Sequence, residues 1–172
     1  GIKGFFMLGS MGEGPQLNME LSRELISMSS EIIAGRAELI AGINGNGLAS
    51  SLELMKAYSD IKFDSYVFIH PPRTFYFSPG HYLEQIMDHA DRPFYFYYCP
   101  PRNNVTLATK DFEKIVTHPK FKGIKNSAGN MALRKELLAL KKQKDFTLFE
   151  GHEWAIDEAL MIGCDGALCG MA

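Results

Sequence analysis

The sequence predicts an α/β chain of the (β/α)8-barrel class, and three observations carry the prediction. Short β-rich apolar runs recur at near-regular spacing, apolar residues at helical spacing lie between them, and a punctuated loop follows nearly every run. The runs cover residues 5–8, 38–43, 65–69, 94–98, 121–125, 146–149 and 166–169. Between them, Leu21, Leu25, Met28 and Ile32 repeat with a helical period, as do Leu133, Leu137, Leu138 and Leu140. Seven strands and six helices follow from this count. Strict alternation means a parallel sheet, because each crossover helix returns the chain to the same end. No Pro/Gly/Ser-rich linker or charge run interrupts it, so residues 1–172 read as one domain. An open doubly wound sheet shares this rhythm, but loops after nearly every strand favour the barrel. Closure would need an eighth strand.

Composition narrows the function classes. With 46% apolar and 22% charged residues and a net charge of −2, the chain has the make-up of an ordinary globular domain. Basic residues form no stripe, which argues against a nucleic-acid partner. No apolar run approaches the roughly 18 residues of a membrane-spanning helix, so no membrane partner is expected and the expected location is the cytosol. Cys99, Cys164 and Cys169 lack CxxC spacing, so neither a disulfide framework nor a metal site is indicated. All three read as small buried hydrophobes.

In parallel α/β folds the chemistry sits at the carboxyl ends of the strands. After the first run comes Gly9-Ser10-Met11-Gly12-Glu13, where two glycines let backbone amides approach a small anion and Ser10 can donate to a carboxylate oxygen. The later Gly42-Ile43-Asn44-Gly45-Asn46-Gly47 lacks the glycine spacing and the acidic partner of a dinucleotide site. In residues 94–98, Tyr95 reads as core, while alternation puts Tyr97 on the face opposite Phe96 and Tyr98, where its phenol can relay a proton. Lys125 ends the run in Gly123-Ile124-Lys125-Asn126-Ser127-Ala128-Gly129. Burying that ammonium is costly, and desolvation would lower its pKa and free a nucleophilic amine. A lysine so placed can also snorkel to solvent.

Taken together these segments resemble the dihydrodipicolinate synthase and N-acetylneuraminate lyase family of Schiff-base (class I) aldolases, over the whole chain. Gly9-Ser10-Met11-Gly12-Glu13 matches the family's Gly-(Ser/Thr)-x-Gly-Glu, and Tyr97-Tyr98-Cys99-Pro100-Pro101-Arg102 its Tyr-Asn-x-Pro-x-Arg. The segment 123–129 matches Gly-(Ile/Leu)-Lys-x-(Ser/Thr)-x-Gly, and Gly151 and the Gly163-Cys164-Asp165-Gly166 turn follow in order. The resemblance implies a lyase acting on pyruvate or another 2-oxo acid through an imine on Lys125, without further cofactor, in a homotetramer or other homo-oligomer. By the same resemblance Tyr97 shuttles the proton and Ser10 with the Met11 amide binds the pyruvyl carboxylate. Ser127, Gly151 and the Leu168 carbonyl are further pocket contacts. It also implies a barrel lacking its first strand and C-terminal helices, incomplete at both ends, with a gap between the 5–8 and 166–169 strands.

Specificity motifs point in two directions. The family's synthases carry a tyrosine pair where this chain has Pro71-Pro72-Arg73-Thr74, yet Arg102 matches the synthase arginine that grips a second carboxylate. Glu153 stands where the lyases place an acid on the sugar hydroxyls, but Trp154 follows in place of a second acid, and Met11 replaces a usual Thr. The expected function is therefore an aldolase or lyase for a 2-oxo acid and an aldehyde. The alternatives are a 2-keto-3-deoxy sugar acid aldolase or dehydratase, and a non-catalytic 2-oxo-acid-binding module on the same barrel.

Overall fold

A computed structural model describes residues 1–73 and 78–170; Thr74 of the 71–74 segment lies outside the described residues. The strands are β1 (Gly4–Met7), β2 (Glu38–Gly42), β3 (Ser65–Ile69), β4 (Phe94–Tyr98), β5 (Phe121–Asn126), β6 (Thr147–Glu150) and β7 (Gly166–Ala167). They form one parallel sheet in chain order. The helices are α1 (Met19–Ile33), α2 (Leu48–Ala57), α3 (Pro79–His89), α4 (Pro100–Asn103), α5 (Thr109–Val116), α6 (Met131–Lys141) and α7 (Ile156–Ile162). Every crossover therefore passes through a helix, and the sheet is a partial (β/α) barrel.

The local chemistry explains several element boundaries. Asn18 caps α1 by accepting from the Leu21 amide, and Asn130 caps α6 by accepting from those of Ala132 and Leu133. One helix beyond the expected six is α4, a single turn that starts on Pro100 and Pro101, where a missing N–H costs nothing. β6 begins and ends one residue later than its apolar run, and β7 is only two residues long. As an edge strand, β7 has a ladder on one side alone.

Alternation along the strands builds two cores. Outward-facing Leu39, Phe68, Phe96, Tyr98, Ile124 and Leu148 pack under the helices. Inward-facing Ile40, Val67, Ile69, Tyr95 and Tyr97 pack together inside the sheet's curve, with Phe6 and Phe149 against them. Tyr95 is core, as expected, with its hydroxyl donating to Glu38 Oε2 at 3.4 Å.

Helix α1 forms where expected but turns the other way. Ser22 and Ile26 are its buried residues, while Leu21, Leu25, Met28 and Ile32 are 37–66% exposed. Helical spacing identifies an apolar stripe but not which stripe meets the strands. Here the narrow Ser22 and the branched Ile26 make the close approach.

β1 and β7 are the two ends of the sheet and do not pair with each other among the described residues. The expected gap between them is present. It opens on a cavity of about 540 Å³ lined from both sides. No described helix is long and apolar enough to cross a membrane.

Candidate active site

The cavity reaches the carboxyl ends of the central strands. Tyr97 of β4 and Lys125 of β5 are register partners on the inner face and both line it. Lys125 is only 9% exposed and forms no ion pair among the described residues. Its ammonium lies 4.3 Å from the Tyr97 ring centroid and 5.1 Å from that of Phe6. Burial lowers the lysine pKa below its ordinary value, against the opposing pull of Cys169, Cys99 and Glu153. Burial also raises the Tyr97 phenol, and Cys99 raises it further. The Ser10 and Ser127 hydroxyls oppose that rise, which places both on the phenol's side of the pocket. Ser127 Oγ is buried without a hydrogen-bond partner of normal geometry among the described residues.

The loop after β1 presents Ser10 and Met11 to the same cavity. It is steered by Leu8, whose φ of 62° is a left-handed conformation unusual for a leucine. Asn44, at the end of β2, donates from Nδ2 to the Leu8 carbonyl at 3.0 Å and holds the turn. The sterically demanding glycine here is Gly14, where a Cβ would sit 2.0 Å from the Leu8 carbonyl oxygen. Gly9 is tight against the Phe6 ring, whereas a Cβ on Gly12 would meet only ordinary contacts at 3.8 Å. Within this loop the close approach of backbone therefore requires glycine at position 14 most of all, then at position 9. Met11 is 73% exposed at the cavity rim.

Gly151 supplies the wall on the β6 side. A Cβ there would lie 2.2 Å from Ser127 Oγ and 2.7 Å from Lys125 Cε, so the bare backbone is in contact with the lysine stem. Its amide donates to the Asn126 carbonyl at 2.8 Å. Leu168 lines the cavity from the β7 side, its amide donating to the Glu150 carbonyl. Glu153 accepts from the Gly170 amide at 3.1 Å, a bond that holds its carboxyl below the usual range. Arg102 stands exposed at the end of α4, its amide donating to the Cys99 carbonyl, and is not among the described residues that line the cavity.

Ser10, Met11, Tyr97, Lys125 and Leu168 thus share one cavity, Gly151 abuts both its lysine and Ser127, and Glu153 bonds Gly170 on its lining. Cys99 and Cys164 are buried as expected, but Cys169 is half-buried and lines the cavity. It follows the short edge strand β7, and its thiol donates to the Glu150 carbonyl at 3.5 Å. Sequence reasoning passed over Phe6 and Phe149, the inner-face rings around the lysine, although the alternation that selected Tyr97 selects both. It also passed over the buried pair Arg134–Glu150, 2.7 Å apart behind the pocket, although Glu150 closes an apolar strand just as Lys125 does.

The profile of the Dihydrodipicolinate synthetase family matches residues 1–172. The chain belongs to this family. A 4-hydroxy-tetrahydrodipicolinate synthase of Thermosipho africanus is 27% identical, over 97% of this chain and 58% of that enzyme. The dihydrodipicolinate synthase of Bacteroides thetaiotaomicron superposes with a TM-score of 0.88 at 25% identity, over 99% of this chain and 58% of that one. An N-acetylneuraminate lyase from Mycoplasma synoviae superposes with 0.83 at 27% identity, over 98% and 57%. The chain therefore spans somewhat more than half the length of the relatives it matches.

Proposed function

We propose that the protein is a class I aldolase or lyase in which Lys125 condenses with the ketone of pyruvate or a related 2-oxo acid. One observation carries this reading: a nearly buried lysine, without a counter-ion among the described residues, sits beside a buried phenol at the strand ends of a partial (β/α) barrel. Water exclusion favours the neutral amine, which is the form that attacks a carbonyl. The amine expels the ketone oxygen as water, and the protonated imine then accepts the electron pair of an adjacent C–C or C–H bond. The imine itself serves as electron sink, and no further cofactor has a role in the scheme.

In this scheme Tyr97 takes the proton from the hydroxyl of a 4-hydroxy-2-oxo acid during cleavage and returns it during condensation. Ser10 and the Met11 amide hold the carboxylate of the 2-oxo acid, and Ser127, Gly151 and the Leu168 carbonyl shape the pocket around it. Arg102 and Glu153 are assigned to the aldehyde partner. A cytosolic homo-oligomer remains part of the reading, which sedimentation of the purified protein checks. The test of the imine is reductive trapping: incubation with pyruvate and borohydride adds one reduced pyruvyl group to Lys125, located by peptide mass spectrometry. Lys125→Ala abolishes the adduct and Lys122→Ala retains it. Equal trapping in both variants refutes the assignment.

A further inference from the structure

Behind the pocket lies a charged pair that the proposed chemistry does not use. Glu150, the last residue of β6, is fully buried, and Arg134 of α6 is 2% exposed. Arg134 Nε donates to Glu150 Oε2 at 2.7 Å, and Nη1 reaches the half-exposed Glu158 of α7 at 3.4 Å. Replacing a buried ion pair by apolar residues of similar volume is often neutral or stabilising, so such a pair is weak evidence of a stability role. The second carboxylate oxygen explains more. Glu150 Oε1 accepts from the His152 amide at 2.9 Å, and the intervening Gly151 is the residue whose backbone touches the Lys125 stem.

We propose that Arg134 and Glu150 are positioning residues that press the Gly151–His152 backbone against Lys125 and keep water from its amine. The proposal rests on the reading of Lys125 as the reactive amine. The carboxylate is fixed on one side by the guanidinium and on the other grips the loop, so its place sets the place of the wall. Other elements also face the amine: Phe6 from β1, Tyr97 from β4 and Cys99 after it, Glu153 after β6 and Cys169 after β7. Cys169, Cys99 and Glu153 favour the charged ammonium, so the neutral form depends on the exclusion of water that Gly151 helps to provide.

The experiment compares two double variants in the intact protein, both without a buried charge. R134M/E150Q keeps an acceptor for the His152 amide, and R134M/E150L removes it. The reactivity of Lys125 toward acetic anhydride is followed across pH by mass spectrometry, without any 2-oxo acid, alongside thermal unfolding. R134M/E150Q keeps the grip on the His152 amide but loses the guanidinium anchor, so its midpoint is expected to rise less than that of R134M/E150L. R134M/E150L is expected to move the wild-type midpoint up by about one unit, roughly a tenfold loss of reactivity at a fixed pH below the midpoint. Equal midpoints in the two variants overturn the proposal. If the Leu variant does not fold, R134M/E150M makes the same comparison with a side chain that adapts to the space. Because labelling needs no substrate, a wild-type protein that fails to trap pyruvate refutes the proposed function without touching this result.

Discussion

Gly151→Ala is the most demanding single test of the pocket's geometry. The new methyl would start 2.7 Å from Lys125 Cε and 2.2 Å from Ser127 Oγ. Carbon pairs rest at about 3.5–4.0 Å, so the lysine stem or the wall must retreat by roughly 1 Å. Neither neighbour can yield freely, since Lys125 and Ser127 are both more than nine-tenths buried. Overpacking of this kind costs about 1–3 kcal/mol, and a displacement of about 1 Å at a reacting group costs on the order of 10²-fold in rate. The assay pairs thermal unfolding with the rate of reductive trapping by pyruvate. Gly80→Ala in α3 is the control, because among the described residues nothing beyond its own helical turn lies within 4 Å of the added methyl and its φ is not left-handed. The control should be as stable as the wild type or slightly more so, with an unchanged trapping rate. A Gly151→Ala protein that traps pyruvate as fast as the control, at wild-type stability, would refute the placement of this wall against the amine.

Three further outcomes follow from the same geometry. Tyr97→Phe should still form the imine but turn over about 10²-fold or more slowly, measured as aldol cleavage; unchanged turnover would make the phenol a packing residue. Burial lowers His70 from 6.5 to about 4, its Nε2 lying 3.1 Å from the Pro79 carbonyl oxygen. With the folded pKa below the unfolded one, the native state resists protonation, so this stability is present above about pH 6.5 and lost as pH falls toward 4. The loss amounts to about 3 kcal/mol, and His70→Gln should flatten that limb of the urea-unfolding profile; an identical limb in the variant contradicts it. Arg102→Ala should weaken the preference for acidic over neutral aldehydes, read as the ratio of kcat/KM values, and an unchanged ratio assigns the arginine a structural part only.

The parallel sheet was legible from the alternation of strands and helices, and the inner face from period-two alternation along each strand. The same parity that buries Tyr97 and Lys125 side by side places the partly buried Phe6 and Phe149 on their face, so the lysine's surroundings could have been read from the sequence as well. Other features depend on distances between segments that periodicity does not contain. The apolar stripe of α1 gave the helix but not its rotation, since the choice between Ile26 and Leu25 is made by the strands beneath. Gly14 looked no different from Gly12, and only the fold of the loop over Leu8 separates them. The contact of Gly151 with Lys125 joins the loop after β6 to β5, and the Arg134–Glu150 pair joins a helix to a strand end. Arg102 shows the opposite case: its motif was clear, yet its side chain stands outside the cavity that gathers most of the others.

On the proposed reading Lys125 forms an imine that acidifies the adjacent carbon, and Tyr97 handles a proton nearby. Exchange of the pyruvate methyl hydrogens for deuterium in heavy water, followed by proton NMR, tests it most directly because it needs no knowledge of the aldehyde. Enzyme-dependent exchange is expected that vanishes in Lys125→Ala, persists in Lys122→Ala and slows in Tyr97→Phe. Exchange that continues undiminished without the Lys125 amine would contradict it.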